Sequence, residues 1–179
     1  MFSTTARTRD GRTVLIREAT ASDARRVLDY VDAIASESDF LTFGPGEFTM
    51  TLEQEIAYLD HAARTDNALF LIAEMEGAMA GALGFAGGER PRNRHAGEFG
   101  MSVRKQSWGM GIGAALVDAL IEWARDTGII SKINLKVRTD NSRAIALYDS
   151  RGFRREGTVS RELLVGGRYH DQYLMGLEL

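Results

Sequence analysis

Residues Gln106-Ser107-Trp108-Gly109-Met110-Gly111-Ile112-Gly113-Ala114 carry three alternating glycines and then run straight into a helical pattern. Leu116, Val117, Leu120, Ile121 and Ala124 recur at the spacing of one helix face. A helix start leaves several backbone N–H groups unpaired, and Ser, Thr, Asp or Asn usually caps them. Here glycine and small apolar residues stand in the capping positions, Asp118 is the earliest carboxylate, and Arg104 and Lys105 come just before the loop. Bare amides, the positive end of a helix dipole and glycines that admit a close backbone approach describe an anion site, most simply for phosphate. The same glycines would also serve a strand-to-helix turn with no ligand.

Spacing narrows the choice of phosphate ligand. A nucleotide triphosphate loop requires Gly-x-x-x-x-Gly-Lys-Ser/Thr, and neither Lys nor Ser/Thr follows these glycines. The dinucleotide fingerprint Gly-x-Gly-x-x-Gly is missed by Gly109-x-Gly111-x-Gly113, and the region about 20 residues on, Ser131-Lys132-Ile133-Asn134, has no carboxylate for a ribose.

Around this loop the chain reads as strands and helices in a definite order. Arg12 to Arg17 alternates as a first strand. Thr20 to Asp23 offers helix caps ahead of Val27, Val31, Ile34 and Ala35. Ser38 to Phe48 is an irregular loop holding Phe40, Leu41, Phe43 and Phe48 about Gly44-Pro45-Gly46, with Glu37, Asp39 and Glu47 at its edges. It serves either as an aromatic wall with an acidic rim for an acceptor, through Phe40, Phe43 and Glu47, or as a loop whose aromatics plug into the core. Thr51-x-x-Gln54 is a capping box, and Leu52, Ile56, Leu59 and Ala63 are expected on the buried face of a second helix. Ala68 to Ala73 is a central strand, Glu76-Gly77 a turn, Ala78 to Gly87 a glycine-laced strand able to bulge, and Ala96 to Val103 the strand that feeds the loop. After the long helix come the strand Lys132–Arg138, a short helix capped by Asp140 or Asn141 and closed at Gly152, and two strands joined at Gly166-Gly167.

This order, and the loop within it, resembles the GNAT superfamily of N-acetyltransferases. The loop is similar to that family's acetyl-coenzyme A pyrophosphate motif Gln/Arg-x-x-Gly-x-Gly/Ala, read here as Gln106-Ser107-Trp108-Gly109-Met110-Gly111. Asn141-Ser142-Arg143-Ala144-Ile145-Ala146-Leu147-Tyr148, followed by Gly152-Phe153, is similar to its Asn…Ala…Tyr…Gly-Phe pattern. The resemblance implies an α/β (α+β) fold: a mixed, mostly antiparallel sheet of about seven strands with four helices, in which the strands flanking the long helix splay to admit the pantetheine arm. It implies cofactor contacts at Met101, Ser102 and Val103 on the strand, and at Gln106, Gly109, Met110, Gly111, Ile112, Gly113 and Ala114 in the loop. Asn141 and Ala144 on the short helix complete that set. Tyr148 would protonate the departing thiolate, and Glu98 would take a proton from the attacking amine through water. Read without the family, an isolated Tyr148 is better taken as a half-buried aromatic on an amphipathic helix, and the alternative for Glu98 is an ordinary exposed or edge-strand carboxylate.

Composition excludes several other chemistries. The 179 residues contain no cysteine, so disulfides and thiolate chemistry are absent, and His61, His95 and His170 are scattered, so no metal is expected. A net charge of −3 gives no reason to expect nucleic acid. No signal pattern or membrane-length apolar run is present, and a cytoplasmic single domain spanning 1–179 is the expectation. Acetyl-coenzyme A is the expected cosubstrate and a small-molecule or peptide amine the expected acceptor, by direct transfer. A non-catalytic acyl-coenzyme A sensor on the same fold is the alternative. The last hairpin, with Tyr169 and Tyr173, is the expected homodimer contact if one forms.

Overall fold

A computed structural model describes residues 1–179. The elements run β1 (Ser3–Arg7), β2 (Thr13–Glu18), α1 (Ala24–Ala35), α2 (Leu52–Arg64), β3 (Ala68–Met75), β4 (Ala78–Gly87), β5 (Ala96–Val103), α3 (Ile112–Thr127), β6 (Lys132–Arg138), α4 (Ser142–Ser150), β7 (Arg154–Val165) and β8 (Arg168–Glu178). They build one sheet in the order β1-β2-β3-β4-β5-β6-β8-β7. Every neighbouring pair is antiparallel except β5 and β6, which the α3 crossover makes parallel. There are eight strands rather than about seven. The added one is β1, whose sequence STTAR shows no apolar alternation and which pairs only with β2 at the sheet's edge.

The two faces of the sheet have different coverings. Apolar residues of β3, β4, β5 and β6 pack with Ile112, Leu116, Val117, Leu120 and Ala124 of α3 and Ile145 of α4 in the main core. On the other face, α1 and α2 enclose a smaller cluster of Ala19, Ala24, Val27, Leu59 and Ile72. The register of β3 against β4 shifts between Ala73 and Glu74, so the glycine-laced strand does carry its bulge. Glu76 and Gly77 both take positive φ in the β3–β4 turn, as do Gly166 and Gly167 in the last hairpin.

The capping box of α2 forms as expected, with Gln54 N–H donating to Thr51 Oγ1 and Thr51 N–H to Gln54 Oε1. Its buried line is different from the expected one. Glu55, Leu59 and Ala62 face inward, whereas Ile56 and Ala63 are exposed. Apolar periodicity cannot anticipate a buried carboxylate. Glu55 is 2% exposed and its Oε1 has no hydrogen-bond partner. Burial raises its pKa. A carboxyl raised in the folded state is protonated there at pH values where the unfolded chain is already ionised. Stability therefore falls as pH climbs from the ordinary carboxylate range through the folded pKa, and the full cost remains above it. Glu55→Met should stabilise by about 1–3 kcal/mol at neutral pH, the usual cost of an unsatisfied buried polar group. Thermal melts at pH 7 and pH 4 check this: the gain should shrink at the lower pH, and an equal gain at both would show that charge is not the cost.

Candidate functional site

β5 is the hinge of the site. It pairs with β4 along Gly97–Val103, but with β6 only at Ala96, Glu98 and the residue between them. From Phe99 to Val103 its β6-facing side therefore has no strand beside it, and the two strands part where the family's pantetheine gap was expected. Side chains alternate as the sequence pattern demands. Phe99 is buried with the α3 and α4 residues, whereas Glu98 and Gly100 are exposed on the α1/α2 face.

The loop after β5 has the open amides and positive-φ glycines expected of an anion cradle. A short turn over Lys105–Ser107 leads to Gly109 and Gly111, at φ 82° and 92°, and Gly111 is the N-cap of α3 with no side-chain cap. Ala115 N–H closes on Gly111 O at 3.0 Å. The amides of Gly109, Met110, Gly111, Ile112, Gly113 and Ala114 donate to no protein acceptor. Cβ atoms built on Gly109 or Gly111 would enter open space, whereas one on Gly113 would meet Leu147 Cδ2 and Met101 Cε at 3.4 Å. The first two glycines keep the cradle clear, and the third lets α3, α4 and β5 approach. These residues fit a diphosphate by shape and polarity.

Gly111→Val tests the cradle. The β-branched side chain would stand over the amides, and its backbone strain at positive φ should cost about 1–3 kcal/mol. The variant should fold with a lowered Tm. Coenzyme A at about 100 times its Kd should stabilise the native protein by about 2.7 kcal/mol, and the variant should lose that gain. Undiminished stabilisation of the variant by the same ligand would remove the loop from cofactor binding.

Around the cradle, Asn141 caps α4, its Oδ1 accepting from Ala144 N–H at 3.2 Å. That leaves the Asn141 side-chain N–H₂ free to face a ligand. Met101 packs toward Gly113 from β5. Ser102 turns the other way, its hydroxyl 3.0 Å from that of Tyr30 on α1, so only its backbone faces the gap. Gln106 is exposed. Trp108, within the expected motif but without an expected role, donates its indole N–H to Val103 O at 2.7 Å. The Arg143 guanidinium lies 5.4 Å from the centre of that indole, joining the loop to α4. Arg104 does not serve the cradle, because Glu37 takes its Nε–H at 2.9 Å and also accepts the Lys105 amide.

Tyr148 is 7% exposed, and its ring meets Phe99 and Phe153 edge-on at 5.8 and 5.9 Å. Burial pushes its hydroxyl up to about 12. The hydroxyl makes no hydrogen bond to the protein. Tyr148 and Glu98 thus occupy opposite faces of the sheet at the point where β5 leaves β6.

On the α1/α2 face two glycines leave a stretch of β4 and β5 without side chains. Gly84 and Gly100 lie opposite each other on β4 and β5, and the Tyr58 hydroxyl is 3.3 Å from where a Gly84 Cβ would be. A Cβ on Gly100 would meet nothing. Lys136 is pushed up by its hydrogen bond to Glu162, and the Glu98 charge adds to this. Tyr58 and Lys136 were not anticipated, although alternation in β6 puts Lys136 on the face of Asn134, the residue paired with Glu98. The aromatic loop divides between its two expected uses. Phe43 packs with Tyr30, Ile34 and Ala82. Phe40 is 41% exposed, with the Arg138 guanidinium 4.7 Å from its ring centre. Glu47 closes its own turn by accepting Gly44 N–H at 2.7 Å.

Residues 31–153 match the Acetyltransferase (GNAT) family. The chain belongs to that family. Over 105 residues this GNAT protein is 34% identical to the L-amino acid N-acetyltransferase AaaT of Escherichia coli, a match covering 59% of this chain and 65% of that protein, under two thirds of its length. The crystal structure of a GNAT-family acetyltransferase from Streptococcus pneumoniae has a TM-score of 0.90 at 33% identity, covering 93% of this chain and 99% of that one. A Salmonella typhimurium protein solved with its cofactor acetyl-CoA shares the fold at TM-score 0.80 and 22% identity, covering 93% and 94% of the two chains. No helix of this GNAT chain is long and apolar enough to cross a membrane, and no three metal-capable side chains cluster.

Proposed function

We propose that this GNAT protein is an acetyl-coenzyme A-dependent N-acetyltransferase that passes the acetyl group directly to a primary amine, with residues 1–179 acting as one domain. The observation that carries this reading is the placement of Glu98 and Tyr148 on opposite faces of β5, beside a gap that opens next to an uncapped glycine cradle. Acetyl-coenzyme A supplies an activated thioester. The Gly109–Ala114 amides hold its diphosphate, the Asn141 side chain hydrogen-bonds its arm, and the free side of β5 from Phe99 to Val103 orients that arm as an added strand would. Tyr148 holds a hydrogen-bond donor on the α4 side. Glu98 takes the proton of the bound ammonium, the neutral nitrogen then forms its C–N bond at the thioester carbonyl, and the C–S bond breaks to release coenzyme A as a thiolate that solvent protonates.

The amine enters over Gly100, where the sheet has no side chain, between Tyr58, Lys136 and the aromatic loop. The E. coli relative is named for L-amino acids, so amino acids are the first acceptors to try, followed by polyamines and peptides with free N-termini. Coenzyme A release across that panel tests the proposal. Turnover on any primary amine supports it. Tight acetyl-coenzyme A binding with no turnover on the whole panel would make the chain an acyl-coenzyme A sensor instead.

A further inference from the structure

The β1–β2 hairpin has no task in the scheme above, yet its turn ends beside the cradle. The turn is fixed by its own side chains. Thr8 is buried, and its hydroxyl lies 2.6 Å from Asp10 Oδ1 and 2.9 Å from Arg12 O. Arg12 closes on Asp10 at 2.7 Å and reaches Glu76 at 3.4 Å. Arg7 donates to Gly11 O at 2.9 Å. Two contacts then tie the turn to the middle of the phosphate loop. Arg9 N–H donates to Met110 O at 3.0 Å, and Arg12 Nη2 lies 3.3 Å from Met110 Sδ.

Of the arginines in this turn, Arg9 alone has a guanidinium with neither an ion pair nor a hydrogen bond. Its side chain is exposed. Its backbone is anchored to the carbonyl of Met110, and the open amides of Met110, Gly111 and Ile112 lie within two residues of that carbonyl. Of the two cations that precede the loop in sequence, Arg104 is already neutralised by Glu37, and Lys105 gives Glu37 its backbone amide while its exposed side chain makes no ion pair. The turn fixes the Arg9 backbone one hydrogen bond from the loop, and a guanidinium extended from there can offer a planar, bidentate donor to an anion on the cradle amides.

We propose that Arg9 binds the coenzyme A diphosphate held by the Gly109–Ala114 amides, making the N-terminal hairpin part of the cofactor site. The proposal rests on the reading of that loop as the coenzyme A site. It calls for titration calorimetry of coenzyme A and 3′-dephospho-coenzyme A with the native protein, Arg9→Gln and Arg9→Lys. Arg9→Gln should bind both ligands about tenfold more weakly, the usual scale for one charge-assisted hydrogen bond. Arg9→Lys should recover part of that, and the difference should shrink in high salt. The Tm of the free protein should not change, because the exposed guanidinium holds nothing in the fold. Equal affinity of Arg9→Gln and the native protein would overturn the assignment. A loss seen only with coenzyme A would move the contact to the 3′-phosphate and overturn the diphosphate assignment. A native protein that binds neither ligand would overturn the coenzyme A reading itself, and this proposal with it.

Discussion

Tyr148→Phe should lower kcat by about 10²- to 10⁴-fold, the range for loss of a positioned proton donor, and leave acetyl-coenzyme A affinity nearly unchanged. The ring is held edge-on by Phe99 and Phe153, contacts that phenylalanine keeps. The lost hydroxyl has no protein partner, so no buried group is orphaned by its removal. Its pKa also defines how it can act. Burial pushes the phenol up to about 12, whereas a free thiol titrates near 8.5. That burial opposes complete transfer of the proton from the phenol to the departing thiolate. In the proposed reaction Tyr148 therefore donates its hydrogen bond to sulfur while the C–S bond breaks, and solvent delivers the final proton. The kcat of the native enzyme should then show no limb from this residue between about pH 7 and pH 9. Measurement under conditions where chemistry limits turnover decides the matter. An unchanged kcat in Tyr148→Phe would remove the residue from the reaction.

What the sequence made legible depended on whether the determining contacts were local. The glycine cradle, α3 and the capping box of α2 are written in consecutive residues, and each forms where spacing puts it. The parallel step from β5 to β6 follows from the handed crossover through α3. β1 was illegible because an edge strand needs no apolar alternation, only a partner for its backbone. Glu55 was missed because the helix period identifies an inward face only through apolar residues, and Ile56 was expected there instead. The cations about the cradle show the same limit most clearly. Proximity in sequence favoured Arg104 and Lys105, but Glu37, far away in the chain, pairs with the Arg104 side chain and accepts the Lys105 amide. Arg9, a hundred or so residues upstream, reaches the loop through one backbone hydrogen bond that no motif encodes. Glu47 likewise looked like an acidic rim by composition, yet its carboxylate is committed to the Gly44 amide of its own turn.

Glu98→Gln should produce a loss whose size depends on the amine offered. The motive is its exposed place on β5, two residues from the bare face at Gly100 and on the opposite face from the Tyr148 side. Acyl transfer needs a neutral amine. A lysine-like amine of pKa about 10.4 is neutral in roughly 1 molecule in 2,500 at pH 7, a deficit of about 4.6 kcal/mol. A peptide α-amine of pKa about 7.7 is roughly one-sixth neutral, a deficit near 1 kcal/mol. The isosteric amide keeps the shape of Glu98 and one acceptor oxygen but cannot take up a proton. Against a strongly basic amine the loss in kcat/KM should reach about 10²- to 10⁴-fold near pH 7 and shrink as pH rises, because solution then supplies the neutral form. Against a peptide α-amine it should stay small at every pH. Lys136, whose ammonium is held by Glu162 and faces Glu98, makes a second cause testable in the same profile. If Glu98 only orients Lys136 or the acceptor, the loss will be the same at every pH and for both kinds of amine. A loss that fades with rising pH for the basic amine alone is the signature of a base, and no loss on a basic amine would leave Glu98 a surface carboxylate.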